Sequence, residues 1–182
     1  MAKGAGLRIL WQRPSSVQIA LSASLVFSGQ YSLGLIPLNI PLYCYYLAHD
    51  DPKKNTAVKL SKFNLIKMIK NLKDAPKNAV ILDPFAKKTL QKEDFETLNG
   101  GILIIDCSWN RIFDVFPREG FENGRKLPDF QAGNPINYAK FGKLSTVEAF
   151  AAALLIAGAK DQAELILSKF TWGHTFLELN SF

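Results

Sequence analysis

Apolar and polar positions change their spacing along this chain in a regular way. From Ile40 onward, short runs rich in β-branched and aromatic residues alternate with stretches whose apolar residues recur every three or four positions. That alternation predicts strands and helices of a parallel α/β sheet flanked by helices. The run "IPLYCYYLA" (40–48) predicts the first strand and "AVILD" (79–83) the second. Between them, Val58, Leu65, Met68, Ile69 and Leu72 share one helical face with Lys59, Lys62, Lys70 and Lys73 opposite, so the spacing predicts a helix over 56–72 with a basic stripe. "KTLQKEDFETLNGG" suits a short helix closed by Gly100 and Gly101, and "GILIID" (101–106) reads as a third strand, apolar on both faces as a buried parallel strand is. Residues 108–143 form a long segment rich in Gly, Pro and Asn, and a loop of that length in a compact domain usually serves function or moves. "LSTVEAFAAALLIAGA" predicts a strong helix, opened by Ser145 with Glu148 three residues on as a capping box and ended near Gly158. "KDQAELILSKF" and "WGHTFLELN" complete a helical C-terminus.

The residues before this pattern are different in kind. Positions 14–48 carry no charge, and "VQIALSASLVF" after Lys3, Arg8 and Arg13 has the outline of a signal-peptide apolar region. Pro14, Gly29, Gly34, Pro37 and Pro41 interrupt it, and no apolar run reaches the roughly 20 residues of a spanning helix. A start placed too far upstream, a packed extension and a targeting segment all remain open. The chain thus divides into an N-terminal extension (1–39), an α/β part with the basic helix (40–100) and a C-terminal part (101–182).

Composition narrows the picture. With 182 residues, 48% hydrophobic, the chain can bury one sizeable core and is short for two independent domains. Its net charge of +6 is modest, but eight lysines between Lys53 and Lys77 face a single acid, Asp74. Such local charge favours an anionic partner, with RNA the leading candidate. Cys44 and Cys107 lie far apart with no metal-ligand spacing, which points to neither a disulfide framework nor a zinc site and fits a reducing, cytoplasmic setting.

No Walker lysine loop, GxGxxG, HExxH or nucleophile elbow is present. What stands out is a carboxylate, a thiol, a hydroxyl and an indole side by side at a strand end, "DCSWN" (106–110), in company with "HDDPKKNTAVKL" (49–60), "ILDPFAKKTL" (81–90), "RKLPDFQAGNPINYAK" (125–140), "KLSTVEAFAAAL" (143–154) and "LSKFTWGHTFLELN" (167–180). Together and in this order, these strings resemble the S-adenosylmethionine-dependent aminocarboxypropyltransferases of small-subunit rRNA, in an archaeal-type form. The resemblance covers nearly everything from Tyr43 onward. It implies a SPOUT-like fold with a C-terminal trefoil knot, which generic topology rules would vote against. It also implies transfer of the 3-amino-3-carboxypropyl group, rather than the methyl, to N3 of an N1-methylpseudouridine, releasing methylthioadenosine.

The same resemblance assigns residues. Ser108 and Trp109 belong to a cofactor-cleft loop, Trp109 offering an apolar face, and Asp106 is the carboxylate nearest the reacting group. A sulfonium attracts carboxylates and aromatic faces, and an imide nitrogen attacking carbon benefits from a proton acceptor. Asp106 also reads as a structural carboxylate accepting loop hydrogen bonds, and Trp109 as core. Thr56 matches a residue that helps hold the amino-acid end of the cofactor, or is a plain helix N-cap. Leu82, Pro84, Leu127 and Leu144 match positions walling the adenosine pocket, though each would pass for core. Glu148 matches an acidic position that its capping box already explains, and Asn134 with Pro135 resembles the knot loop or is a simple turn. His174 and Trp172 read as structural and core. Lys53, Lys54, Lys59 and Lys62, with Arg125 and Lys126 as a second patch, read as an RNA-binding surface or a solvated face. Where the family often shows "HCDPKKCTGKK", this chain has Asp50 and Asn55 for the cysteines and Ala57 and Val58 for the glycine and lysine, so no metal is expected there. A SPOUT-type methyltransferase and a non-catalytic rRNA-binding assembly factor are the alternatives, the second favoured only by the altered "NTAV".

Overall fold

The computed structural model describes residues 39–49, 51–117 and 120–181. The extension, apart from Asn39, and Asp50 therefore lie outside the described residues. In chain order the elements are β1 (Leu42–Tyr46), α1 (Thr56–Lys62), β2 (Lys67–Ile69), β3 (Val80–Leu82), α2 (Asp94–Thr97), β4 (Ile102–Asp106), α3 (Ile112–Val115), β5 (Gly124–Arg125), α4 (Thr146–Ala157), α5 (Lys160–Leu167) and α6 (Gly173–Leu179). The strands form one sheet in the order β2-β1-β4-β3-β5, with every pairing parallel.

Side chains alternate across the sheet, as strand geometry requires. Leu42, Cys44, Val80, Leu82, Ile102 and Ile104 face one side and pack with Leu60 of α1, Phe150 and Leu154 of α4, Ile166 of α5 and Phe176 of α6 in the main core. Leu103 joins Ile69 and Ala79, and Ile105 joins Ile112 and Phe116, in two smaller clusters. β4 is buried at four successive positions because helices cover one face and α3 with its neighbours covers the other. Phe150 and Phe176 have no exposed surface, and burying such a side chain contributes about 1.5–3 kcal/mol each.

The helix over 56–72 does not form as expected. α1 stops at Lys62, Asn64 turns into the left-handed region (φ 56°), and Lys67–Ile69 instead pair with Tyr43–Tyr45 of β1. A short strand that extends a sheet satisfies its backbone groups through a segment distant in sequence, and that outweighs local periodicity. The basic stripe is accordingly divided: Lys59 and Lys62 stay on α1, whereas Lys70 follows β2. The helix expected before Gly100 shrinks to α2. The long segment 108–143 holds a 3-10 turn (Trp109–Arg111), α3 and β5. α4 keeps the capping box of Ser145 and Glu148, and Gly158 ends it in the left-handed conformation (φ 84°).

Gly101 makes the tightest approach in the sheet. It has φ 101°, and a Cβ there would run into the carbonyl oxygen of Pro41, which accepts the amide of Ile102 at 2.8 Å. Gly101→Ala is therefore expected to lower stability by about 3 kcal/mol, read from urea unfolding; a loss below about 0.5 kcal/mol would show the junction to be plastic.

Candidate active site at the carboxyl ends of the strands

β4 ends on Asp106, paired with Tyr46 of β1, so its carboxylate emerges at the C-terminal edge of the sheet centre. There it lies between the first turns of two helices. Asn55 Nδ2 donates to Oδ2 at 2.7 Å and Thr146 Oγ1 donates to Oδ1 at 3.1 Å. Asn55 is also the N-cap of α1, its Oδ1 accepting the Val58 amide at 2.9 Å, so the cap is Asn55 and not Thr56. The Thr56 hydroxyl instead accepts the amide of Val147 in α4 at 3.3 Å. One carboxylate thus ties β4, α1 and α4 together, and hydrogen bonds to an ionised group are the stronger kind, about 1.5–3 kcal/mol.

A second carboxylate holds the neighbouring loop. Glu148 is fully buried and accepts from the amides of Gly133 (2.7 Å), Asn134 (2.9 Å) and Ser145 (2.7 Å), from Asn134 Nδ2 (2.7 Å) and from Ser145 Oγ (2.6 Å). Asn134 Oδ1 in turn accepts the amides of Ile136 and Asn137, which shapes the turn around Pro135.

Two clefts meet at this junction and share Asp106, Cys107, Leu144, Ser145 and Thr146 as a wall. The first, about 370 Å³, is lined mainly by apolar side chains, among them Leu82, Pro84, Ile104, Ile112, Phe116 and Leu127. The second, about 610 Å³, takes most of its lining residues from polar and basic types, with Lys53, Lys54, Thr56, Lys59 and Ser108 among them. Four positions assigned to the adenosine wall, Leu82, Pro84, Leu127 and Leu144, thus come together in one cleft. Thr56 and Ser108 lie in the adjoining one. Trp109 opens the 3-10 turn beside them, and its side chain lies outside the described residues.

The basic positions separate. Lys53, Lys54 and Lys59 line the polar cleft, Lys126 lines the apolar one, and Lys62, although exposed, lines neither. Arg125 corrects the expectation of a second surface patch: it is 8% exposed, with Nε 2.7 Å from Asp94 Oδ1 and a further bond to the carbonyl of Gly124. It lies in β5, and its guanidinium ties that strand to α2. His174 is exposed rather than structural, and Trp172, half-buried against Phe170, lines the polar cleft. Sequence reasoning passed over Asn55 and Thr146 as partners of Asp106, and Ile112 and Phe116 as lining. Their places at the helix starts "KKNT" and "LST" are the local signal for the first two.

The described residues form an open parallel α/β sheet with two clefts at the carboxyl ends of its strands, the place where proteins of this class bind ligands. Residues 80–182 match the family described as "Ribosome biogenesis protein, C-terminal". The 16S rRNA aminocarboxypropyltransferase of Methanosarcina mazei is 46% identical over 144 residues, 78% of this chain and 82% of its own. That of Thermoplasma acidophilum is 45% identical over 142 residues, 78% of this chain and 85% of its own. The solved structure of the SAM-dependent rRNA:acp-transferase Tsr3 from Vulcanisaeta distributa aligns with a TM-score of 0.73 at 40% identity, covering 79% of each chain. The chain belongs to the 16S rRNA aminocarboxypropyltransferase family.

Cys44 lies in β1, fully buried near Asp106. Burial first, and the Asp106 carboxylate second, push its thiol far above the ordinary range, against a smaller opposing effect from a backbone hydrogen bond. Below pH 9.0, the ordinary thiol value, folded and unfolded chains both keep the proton. Above it only the unfolded chain ionises, so stability is lost as pH rises, by up to about 1.4 kcal/mol per pH unit. Urea unfolding at pH 8 and pH 10 should show a steeper decline for the native protein than for Cys44→Ala; equal declines would mean that the buried thiol ionises freely.

Proposed function

We propose that this protein transfers the 3-amino-3-carboxypropyl group of S-adenosylmethionine to N3 of an N1-methylpseudouridine in small-subunit rRNA, in the cytoplasm, releasing methylthioadenosine. The observation that carries the reading is the junction itself: one carboxylate, Asp106, stands where an apolar cleft and a basic, polar cleft meet. The apolar cleft fits the donor, because its size lies in the range of small-molecule sites and Leu82, Pro84, Leu127 and Leu144 offer apolar faces to an adenosine. When bound, S-adenosylmethionine supplies a carbon made electrophilic by its sulfonium. In the balanced reaction that carbon's bond to sulfur breaks, a bond to N3 forms, and N3 loses its proton.

The protein contributes position and charge. Asp106 attracts a cationic group to the junction, and its carboxylate, oriented by Asn55 and Thr146, is the acceptor for the N3 proton. Thr56 and Ser108, on the polar side, are placed for the amino-acid end of the donor, with Trp109 in the same loop. Lys53, Lys54, Lys59, Lys62 and Lys126 supply charge for RNA phosphates. The knotted SPOUT-like arrangement belongs to this proposal too. Its support is that the chain leaves β5 at the sheet edge and returns past Leu127 and Leu144, beside the ends of β3 and β4, before entering α4.

Carboxyl-labelled and methyl-labelled S-adenosylmethionine, offered separately with an rRNA hairpin bearing N1-methylpseudouridine, decide the reaction. Carboxyl label in RNA with methylthioadenosine released is the expected result; methyl label in RNA would make the protein a methyltransferase, and absence of cofactor binding would leave a ribosome assembly factor. In the same assay Asp106→Asn should reduce transfer about 100-fold, whereas activity within about threefold of the native protein would make Asp106 purely structural. Binding of the hairpin should weaken with salt, and Lys54→Ala should flatten the log–log slope by about 0.7–0.9. An unchanged slope would remove Lys54 from the phosphate path.

A further inference from the structure

We propose that the polar cleft is the seat of the target nucleotide, whose uracil-type base turns out of its RNA helix to lie against Trp172, beside Asn110 and Asn137, with flanking phosphates on Lys53, Lys54 and Lys59. The proposal rests on the aminocarboxypropyl-transfer reading above and names which cleft takes which partner.

The chemistry requires two ligands in contact at a single atom pair. N3 of a paired uracil faces its partner base inside the helix, so an enzyme acting there needs the base unpaired and turned outward. Such a base needs a polar chamber that opens onto the donor's chamber. The cleft sharing Asp106, Ser145 and Thr146 with the apolar one meets that requirement.

Its lining separates into groups already occupied and groups left over. Asp51 Oδ1 accepts the amide of Lys53 at 3.0 Å. Of the asparagines on the lining, Asn55 is engaged with Asp106 and the Val58 amide, and Asn134 with Glu148 and the turn that follows it. Asn110 and Asn137 remain, and their carboxamides make no hydrogen bond among the described residues. Each offers both a donor and an acceptor, which suits the alternating carbonyl and imide groups of a uracil edge.

The cleft also has an aromatic wall held from behind. Trp172 packs on Phe170 with ring centroids 5.2 Å apart, and Lys59 Nζ stands 4.5 Å from the centroid of Phe170. An indole fixed in this way offers a surface on which any base can stack. The other aromatic surface near the junction, Phe85 stacked on Phe113 at 5.1 Å, is more exposed, but neither ring lines the polar cleft.

The test uses the full chain and the rRNA hairpin with 4-thiouridine at the target position, irradiated and mapped by mass spectrometry. Attachment at Asn110, within residues 134–137 or at Trp172 is expected; attachment outside the polar cleft, as at Phe85 or Phe113, overturns the assignment. With the methylated hairpin, Asn110→Ala and Asn137→Ala should each raise KM for RNA about tenfold while the dissociation constant for S-adenosylmethionine stays within about twofold. Variants that leave KM unchanged, or that weaken cofactor binding instead, also overturn it. If the native protein moves no carboxyl label into RNA, the transfer reading fails, and the crosslink alone then judges the cleft.

Discussion

A carboxylate at the end of a buried strand has to be met by donors, and the way Asp106 is met organises this molecule. Left alone at the edge of an apolar core, an ionised carboxyl would be costly. Here Asn55 and Thr146, 51 and 40 residues away in sequence, both donate to it. Because each of them also begins a helix, satisfying one charge sets the positions of α1 and α4 relative to β4. The Thr56 hydroxyl, accepting the Val147 amide, closes the same three-way junction.

Glu148 repeats the device slightly further along α4. Its five hydrogen bonds draw the 133–134 backbone and Ser145 onto a fully buried carboxylate. Such a group is tolerable only when it is fully satisfied, and its satisfaction leaves the loop little freedom. The wall between the two clefts is therefore fixed by Asp106 within it and by Glu148 behind it, while the faces it presents differ. Apolar side chains from β3, β4 and α3 line one side, and the turn before α1 brings lysines to the other.

The resemblance made much of the apolar cleft legible, because Leu82, Pro84, Leu127 and Leu144 sit in strings with a distinctive order. Arg125 and Lys126 show where such reading stops. They are adjacent in sequence and equally basic, yet Arg125 turns inward to Asp94 and Lys126 lines the cleft. Successive residues of extended chain point to opposite sides, and only the pairing of Arg125 with Leu82 of β3, followed by that of Lys126 with Thr89, decides which is which. Asn55 was visible merely as a departure from the family string; its role as both cap and donor to Asp106 depends on a contact with β4.

By itself the sequence determined the parallel α/β class, a buried strand over 101–106, found as Ile102–Asp106, and the capped helix from Ser145 to Gly158, because runs of apolar residues and cap chemistry act over a few neighbouring positions. Only the tertiary structure decided that residues 67–69 become an edge strand, that Arg125 is an internal ion-pair partner, and that two clefts join at Asp106. Each of those outcomes is a contact between segments distant in sequence, and local spacing carries no record of which distant segment will supply the partner.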